Sequence, residues 1–283
     1  MTVRVLLLLT LLCPGLAMAQ GTALLLNLEG PIGPAADDYL KRNLERAAEE
    51  NMALVILRVD TPGGLDTSMR SMIRAILASP VPVASFVAPN GARAASAGTY
   101  LLYASHVAAM APATNLGAAT PVQMGGGGFP GGGGEEPADD EPAPAAGEGE
   151  TDGEEEAQAD DDVQTDRAPM PDSAMERKVV NDARAYIRSL AQLRGRNADW
   201  AEIAVRDGAS LSASEAAERE VIDFVATSVE DLLDKAHGMT VEVAGIDRVL
   251  DTEGLVVLTV DPDWRNRLLA IITHPQVAYI LMI

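Results

Sequence analysis

Cysteine is nearly absent from this chain: the single one, Cys13, sits within the first twenty residues. Leu11-Leu12 before it lack the small residue that a lipid-attachment site needs, so disulfides, thiol chemistry and cysteine-based metal sites are excluded from the remainder. Lysine and histidine are scarce as well, at three residues each, and no basic block occurs anywhere. Nucleic acid is thereby excluded as a partner, because binding it rests on a basic surface. The formal net charge of -21 describes one segment more than the whole, since fourteen Asp and Glu fall between Glu135 and Asp162 with no Lys or Arg among them. No cofactor and no metal ion is expected.

The ends of the chain carry apolar runs of their own. Arg4, the run Val5 to Leu12, and Ala17-Met18-Ala19 before Gln20 read as an export signal with a small-residue cleavage site, giving residues 1–19 as a signal peptide. About 260 residues remain, enough for one substantial core with a small appendage. The last sixteen, Leu268 to Ile283 (LLAIITHPQVAYILMI), follow an interface-like Trp264-Arg265-Asn266-Arg267 and are expected to begin a transmembrane segment cut short by the end of the sequence. A C-terminal core helix is the plainer alternative. Arg265 and Arg267 favour a cytoplasmic flank and the leader favours export; the leader is taken to decide, which puts the domain on the extracytoplasmic side.

Between the ends, apolar runs at Ala23 to Leu28, Ala53 to Val59 and Val81 to Ala88 are separated by segments of helical spacing, Ala35 to Asn51 and Leu65 to Ala78. Strands spaced by helices of this length imply parallel crossovers, hence an α/β fold with helices packed on a sheet. Ala95 to Ala104 reads as a further helix and His106 to Met110 as a further buried strand. From Gly125 to Ala168 periodicity ends in a glycine block and a Pro, Ala and acid-rich stretch, expected to be a disordered insert because it cannot bury enough apolar surface to offset its chain entropy. A long amphipathic helix is expected over Pro171 to Arg194, a capped helix after Ser212 with Glu215 at its third position, and a strand-rich connector over 239–267. Residues 20–238 make up the main domain in this reading.

Two clusters of small residues could carry chemistry. Asp60-Thr61-Pro62-Gly63-Gly64 follows a strand, and its Gly-Gly lets backbone N–H groups turn outward as an oxyanion hole requires. Gly91-Ala92-Arg93-Ala94-Ala95-Ser96-Ala97-Gly98 opens a helix, with Ser96 among residues small enough for a substrate backbone to approach. Pro-Gly-Gly is ordinarily a turn, and a serine at a helix start is ordinarily a cap. A serine nucleophile needs a base. His106 belongs to a strand, His237 and Lys235 to a helix end, His274 to the terminal apolar run, and Lys41 to a solvated helix face. Lys178 remains, near a helix start and beside Val179 and Val180, where burial and the positive helix end would favour the neutral amine. Its plainer alternative is a solvated surface lysine.

Four runs change this balance together: LEGPIG (Leu28 to Gly33), ALVILRVDTPGG (Ala53 to Gly64), VPVASFVAPNGARAASAGTYLLYASHVAAMAP (Val81 to Pro112) and KVVNDARAYIRSLAQLRGRN (Lys178 to Asn197). With them the sequence resembles the nodulation-efficiency-D (NfeD) group of membrane-bound serine proteases over most of Ala23 to Ala236. The resemblance implies a Clp-protease/crotonase spiral of ββα units and an ATP-independent Ser-Lys dyad, with Ser96 as nucleophile, Lys178 as general base, and the N–H groups of Gly63 or Gly64 and Ala97 as oxyanion hole. It also implies a hydrophobic peptide substrate from a stomatin-like membrane partner. A homodimer or higher homo-oligomer is expected. The acidic insert departs from the compact loop expected before the lysine helix. Two rivals remain: a crotonase-type enzyme acting on an acyl-thioester, which the export signal disfavours, and a membrane scaffold that binds a stomatin-like partner without cutting it.

Overall fold

The apolar runs become neighbouring strands β1 (Thr22–Glu29), β2 (Leu54–Asp60) and β3 (Val83–Val87), joined by helices α1 (Pro34–Glu49) and α2 (Asp66–Ala78). They lie parallel in the order β1, β2, β3, and burial on both faces explains why they read as continuous apolar runs. Alternate residues still part company: Leu24, Leu26, Val55, Leu57 and Val59 enter one core, while Ala23, Leu25, Leu54 and Ile56 enter the other. The computed structural model describes residues 21–121 and 174–272, and these fall within one compact unit. The expected signal peptide, the 125–168 insert, His274 and all but the first residues of the expected membrane segment lie outside the described residues.

Beyond β3 the chain repeats a simple unit. A short strand β4 (Arg93–Ala95) turns off into a second layer, helix α3 (Ala97–Ala104) returns, and β5 (Val107–Met110) re-enters the main sheet. Strand β6 (Asn115–Gly117) then leaves it again, parallel to β4, and β7 (Ser210–Ser212) completes this second, three-stranded layer. The second layer extends toward the N-terminus as two single bridges, Thr61 with Ala94 and Ile32 with Gly64. This is the Clp-protease/crotonase spiral of ββα units. Helix α4 (Ala174–Leu193) and α5 (Ala198–Arg206) pack with α1, α2 and α3 on one face of the sheet, and the Ser212/Glu215 capping box opens α6 (Ala213–Glu218).

The opposite face is covered by α7 (Val229–Ala236) and the hairpin of β9 (Thr240–Val243) and β10 (Ile246–Val249), through Leu232, Leu233, Val241 and Val243. The short strand β8 (Phe224–Val225) closes one edge of the main sheet. Strand β11 (Val256–Val260) closes the other by pairing in parallel with β1, giving the order β11-β1-β2-β3-β5-β8. Residues 239–260 thus pack on the domain through Val241, Val243 and Leu250 and pair with it through β11, while β10 stays exposed. The last described helix, α8 (Trp264–Ile272), is fixed to α1 by Asn266, which donates to Ala35 O at 3.2 Å and accepts from Arg42 at 2.6 Å. Among the described residues no helix is long and apolar enough to cross a membrane.

Candidate active site

Strand β2 ends at Asp60, and its continuation is stitched to β4: the Thr61 N–H donates to Arg93 O (2.8 Å) and the Ala95 N–H to Thr61 O (3.0 Å). The next residue after β4 is Ser96. Its backbone stands at φ 51 and ψ -116, a conformation few non-glycine residues adopt. No side-chain cap hydrogen bond is formed, so the ordinary reading of a helix-start serine fails here. Strain of this kind persists only where the surroundings fix it, and it is the device by which a sharp strand-to-helix turn lifts a nucleophilic serine off the backbone.

The surroundings that fix it are specific. The Ser96 N–H donates to Gly117 O (2.9 Å), and the buried Thr99 hydroxyl bridges Ala94 O (2.8 Å) and Gly117 O (2.9 Å). Gly98 lets α3 close on β2, since a Cβ there would meet Thr61 Cγ2 at 2.6 Å. At the far end of α3, the buried Arg196 donates to the carbonyls of Leu102 (3.1 Å) and Ser105 (2.9 Å) and pairs with Asp223 at 2.9 Å, a cation on the negative end of the helix. Ser96 itself is half-buried, and its Oγ makes no hydrogen bond among the described residues.

The two glycines of the other cluster differ in role. Gly63, at φ +110, faces the serine directly: a Cβ would lie 2.6 Å from Ser96 Cβ and 3.1 Å from its Oγ. Its N–H is taken by Thr61 Oγ1 at 3.1 Å, which corrects the expectation that it could serve as an oxyanion donor. Gly64 is pressed against Ile32, whose N–H donates to Gly63 O (2.8 Å) and whose carbonyl accepts from the Leu65 N–H (2.9 Å). The Gly64 N–H is uncommitted among the described residues. The N–H of Ala97, first residue of α3, is likewise uncommitted among the described residues, as expected for the orphan donors of a helix start. A neighbouring cleft of about 300 Å³, lined by Leu28, Pro31, Ala36, Tyr39 and Pro262, contains neither Ser96 nor Lys178.

Lys178 lies in the second turn of α4 and is exposed, which corrects the expectation that Val179 and Val180 bury it; both valines are themselves only half-buried. It forms no hydrogen bond or ion pair among the described residues, and none to Ser96. Its helix nevertheless runs alongside that of the serine. Tyr186 stacks on Tyr100 with ring centroids 6.1 Å apart, and farther along both chains Arg194 donates to Ala104 O at 2.9 Å. The contacts ascend both helices in the same direction, so the N-terminal ends of α3 and α4, with Ser96 and Lys178, point the same way.

The other candidate bases are accounted for. His106 follows α3 at the end opposite Ser96, and its Nδ1 accepts from the Val83 N–H at 3.0 Å. Burial, with Arg194 and Arg196 nearby, pushes its pKa down to about 3. His237 follows α7, and its Nδ1 accepts from Thr252 N–H at 3.3 Å. Lys41 pairs with Asp37 (2.9 Å) and Lys235 with Asp231 (3.0 Å). Sequence reasoning gave Ile32, Thr61, Thr99 and Gly117 no role of their own, yet they frame the serine; only the clustering of small residues hinted at so tight a frame.

A strained serine at a helix start, framed by glycines in a crotonase-type spiral, defines the Clp-protease/crotonase class. Within that class, this chain matches the family model of the N-terminal domain of NfeD1b over residues 25–129. It is 31% identical over 267 residues to the membrane-bound protease PH1510 of Pyrococcus horikoshii, covering 94% of this chain and 51% of that protein. It is 35% identical over 99 residues to the membrane protein NfeD1b of Bacillus subtilis, covering 35% of this chain and 22% of that one. The chain thus spans about half the length of the first relative and less of the second. Among solved structures, the 1510-N membrane-bound stomatin-specific protease superposes with a TM-score of 0.70 at 29% identity, over 90% of this chain and 99% of that one, in a lysine-to-alanine mutant holding a substrate peptide. A serine-to-alanine mutant of 1510-N superposes with a TM-score of 0.68, also at 29% identity, over 87% of this chain and all of that one.

Proposed function

We propose that this chain is the catalytic part of a membrane-bound serine endopeptidase that uses Ser96 and Lys178 as a dyad. Neutral Lys178 accepts the Ser96 proton as Oγ attacks the scissile carbonyl, and the N–H groups of Gly64 and Ala97 receive the developing oxyanion. The C–N bond then breaks, the lysine ammonium protonates the leaving amine, and an acyl-serine remains. Water enters by the same route, giving up a proton to Lys178, and hydrolysis of the ester returns the proton to Ser96. The observation that carries this reading is the strained backbone of Ser96 at the start of α3, beside a glycine too close to it to bear a side chain. Nothing in the cycle needs ATP.

The substrate in this reading is an extended hydrophobic segment of a membrane protein, and the partner a stomatin-like protein. Both are supported by the 1510-N structures, described as a stomatin-specific protease and one with a substrate peptide bound. The apolar leader supports export of the domain to the extracytoplasmic side, and the membrane-bound relatives support a transmembrane segment beginning near Leu268. Assembly as a homo-oligomer belongs to the same proposal. The exposure of Lys178 favours the second reading, a scaffold that grips a stomatin-like segment without cutting it. Incubation of the purified protein with hydrophobic peptides, followed by mass spectrometry, separates the two. New peptide termini that vanish in Ser96→Ala support the protease, and retained binding without new termini supports the scaffold.

A further inference from the structure

The first nine residues of α4, 174–182, include no buried side chain; the first is Ala183, followed by Ile187, Leu190 and Ala191. Lys178 therefore rides on an overhang that touches the core through the half-buried Val180, and its direction depends on what grips the helix at its root. On one flank Glu202 of α5 takes Arg184 at 2.7 Å and also Arg188, both beyond the overhang. On the other flank the grip is Arg70 of α2. Its Nη2 donates to Asp182 Oδ2 at 2.5 Å, its Nε donates to Asp66 at 3.0 Å, and its guanidinium carbon stands 4.4 Å from the Tyr186 ring centroid. Lys178, Asp182 and Tyr186 are spaced by four and share one helix face. Tyr186 in turn stacks on Tyr100, one helical turn beyond Ser96.

From this arrangement we infer that Arg70 is a positioning residue for the candidate dyad: its clasp on Asp182 and Tyr186 aims the overhanging turn that carries Lys178 toward Ser96. The inference rests on the dyad reading. An arginine suits the task because one planar group holds Asp66, Asp182 and the aromatic face together, which a lysine cannot reproduce. The ion pairs are partly exposed, with Asp182 67% accessible, so they add little to global stability. A small misaim of a catalytic group, by contrast, costs rate steeply.

The test is the rate at which a fluorophosphonate labels Ser96, a reaction that forms a P–O bond, expels fluoride and passes the serine proton to the base. It is read in the wild type, Arg70→Gln, Lys178→Ala and the double variant, with thermal midpoints measured alongside. The expected result is about tenfold slower labelling in Arg70→Gln and no further slowing when Arg70→Gln is added to Lys178→Ala, the non-additivity of residues acting through one another. Asp182→Asn should match Arg70→Gln, and Arg70→Lys should fail to restore the rate. Equal slowing by Arg70→Gln in both lysine backgrounds would overturn the inference while leaving the dyad standing. So would unchanged labelling in Arg70→Gln. If Lys178→Ala labels as fast as wild type, the dyad itself fails and the positioning role falls with it.

Discussion

Ser96 is held by the second-layer strands, by Thr99 and Gly117, and by a neighbouring glycine at van der Waals limit, whereas Lys178 stands on a helix turn with no buried side chain. The contrast separates two ways of building a site. The serine's geometry is a property of the fold, so damage to it should show in stability and chemistry together. The lysine's geometry is a property of one helix and its tether, so damage there should show in chemistry alone.

The sharpest way to break the serine side is Gly64→Val. A Cβ at this position would lie 2.0 Å from the Ile32 carbonyl oxygen, a backbone atom that cannot swing away. The loop must shift, taking with it the proposed oxyanion donor; turnover should drop about a hundredfold or more, and the thermal midpoint should fall in the same variant. Unaltered turnover would remove Gly64 from the site. Thr99→Val tests the same frame more gently. It deletes the hydroxyl that serves Ala94 O, Gly117 O and the Gly117 N–H, and should cost about 1–3 kcal/mol in denaturant unfolding.

The far end of the serine helix offers a pH test. His106 is held neutral in the folded protein, with its pKa down at about 3, and regains an ordinary value near 6.5 on unfolding. The unfolded chain therefore binds the additional proton, and this contribution to stability is complete above pH 6.5 and is lost as pH falls toward 3. His106→Asn keeps an acceptor for the Val83 N–H and removes the titration. Its stability curve should be flatter over that window by up to about 1.4 kcal/mol per pH unit, measured by urea unfolding at stepped pH. An identical slope would show that His106 does not titrate on unfolding. The smallest expected effect is on the lysine side, where Lys178→Ala should leave stability within about 0.5 kcal/mol of wild type. A larger loss would end the contrast between the two sides.

Much of this architecture could be read from the sequence because its signals are local. Leu54 to Leu57 is apolar on both faces and flanked by helices of matching period, so a buried parallel strand follows. What stayed hidden depends on distant partners. Strand β11 pairs with β1 across most of the chain, and nothing in VVLTV names that neighbour. Ser96 was legible as a residue at a helix start, but its φ of 51 is imposed by Gly117 and Gly63, which no local pattern reveals. The doublet Gly63-Gly64 could not say which N–H is free, since that turns on the Thr61 hydroxyl. Two adjacent valines suggested a buried Lys178; they lie on the overhang of α4, half-buried, and leave the lysine in solvent.

The central claim is that the fold-held serine is activated by the lysine on the tethered helix. It is tested most directly by the initial rate of cleavage of a hydrophobic peptide across pH for the wild type, Ser96→Ala and Lys178→Arg. A base that must be neutral to act predicts wild-type activity that climbs along an alkaline limb with no histidine-like limb near 6.5. Lys178→Arg, which keeps the charge but cannot release its proton, should be as inactive as Ser96→Ala. Appreciable cleavage by Lys178→Arg would contradict the account.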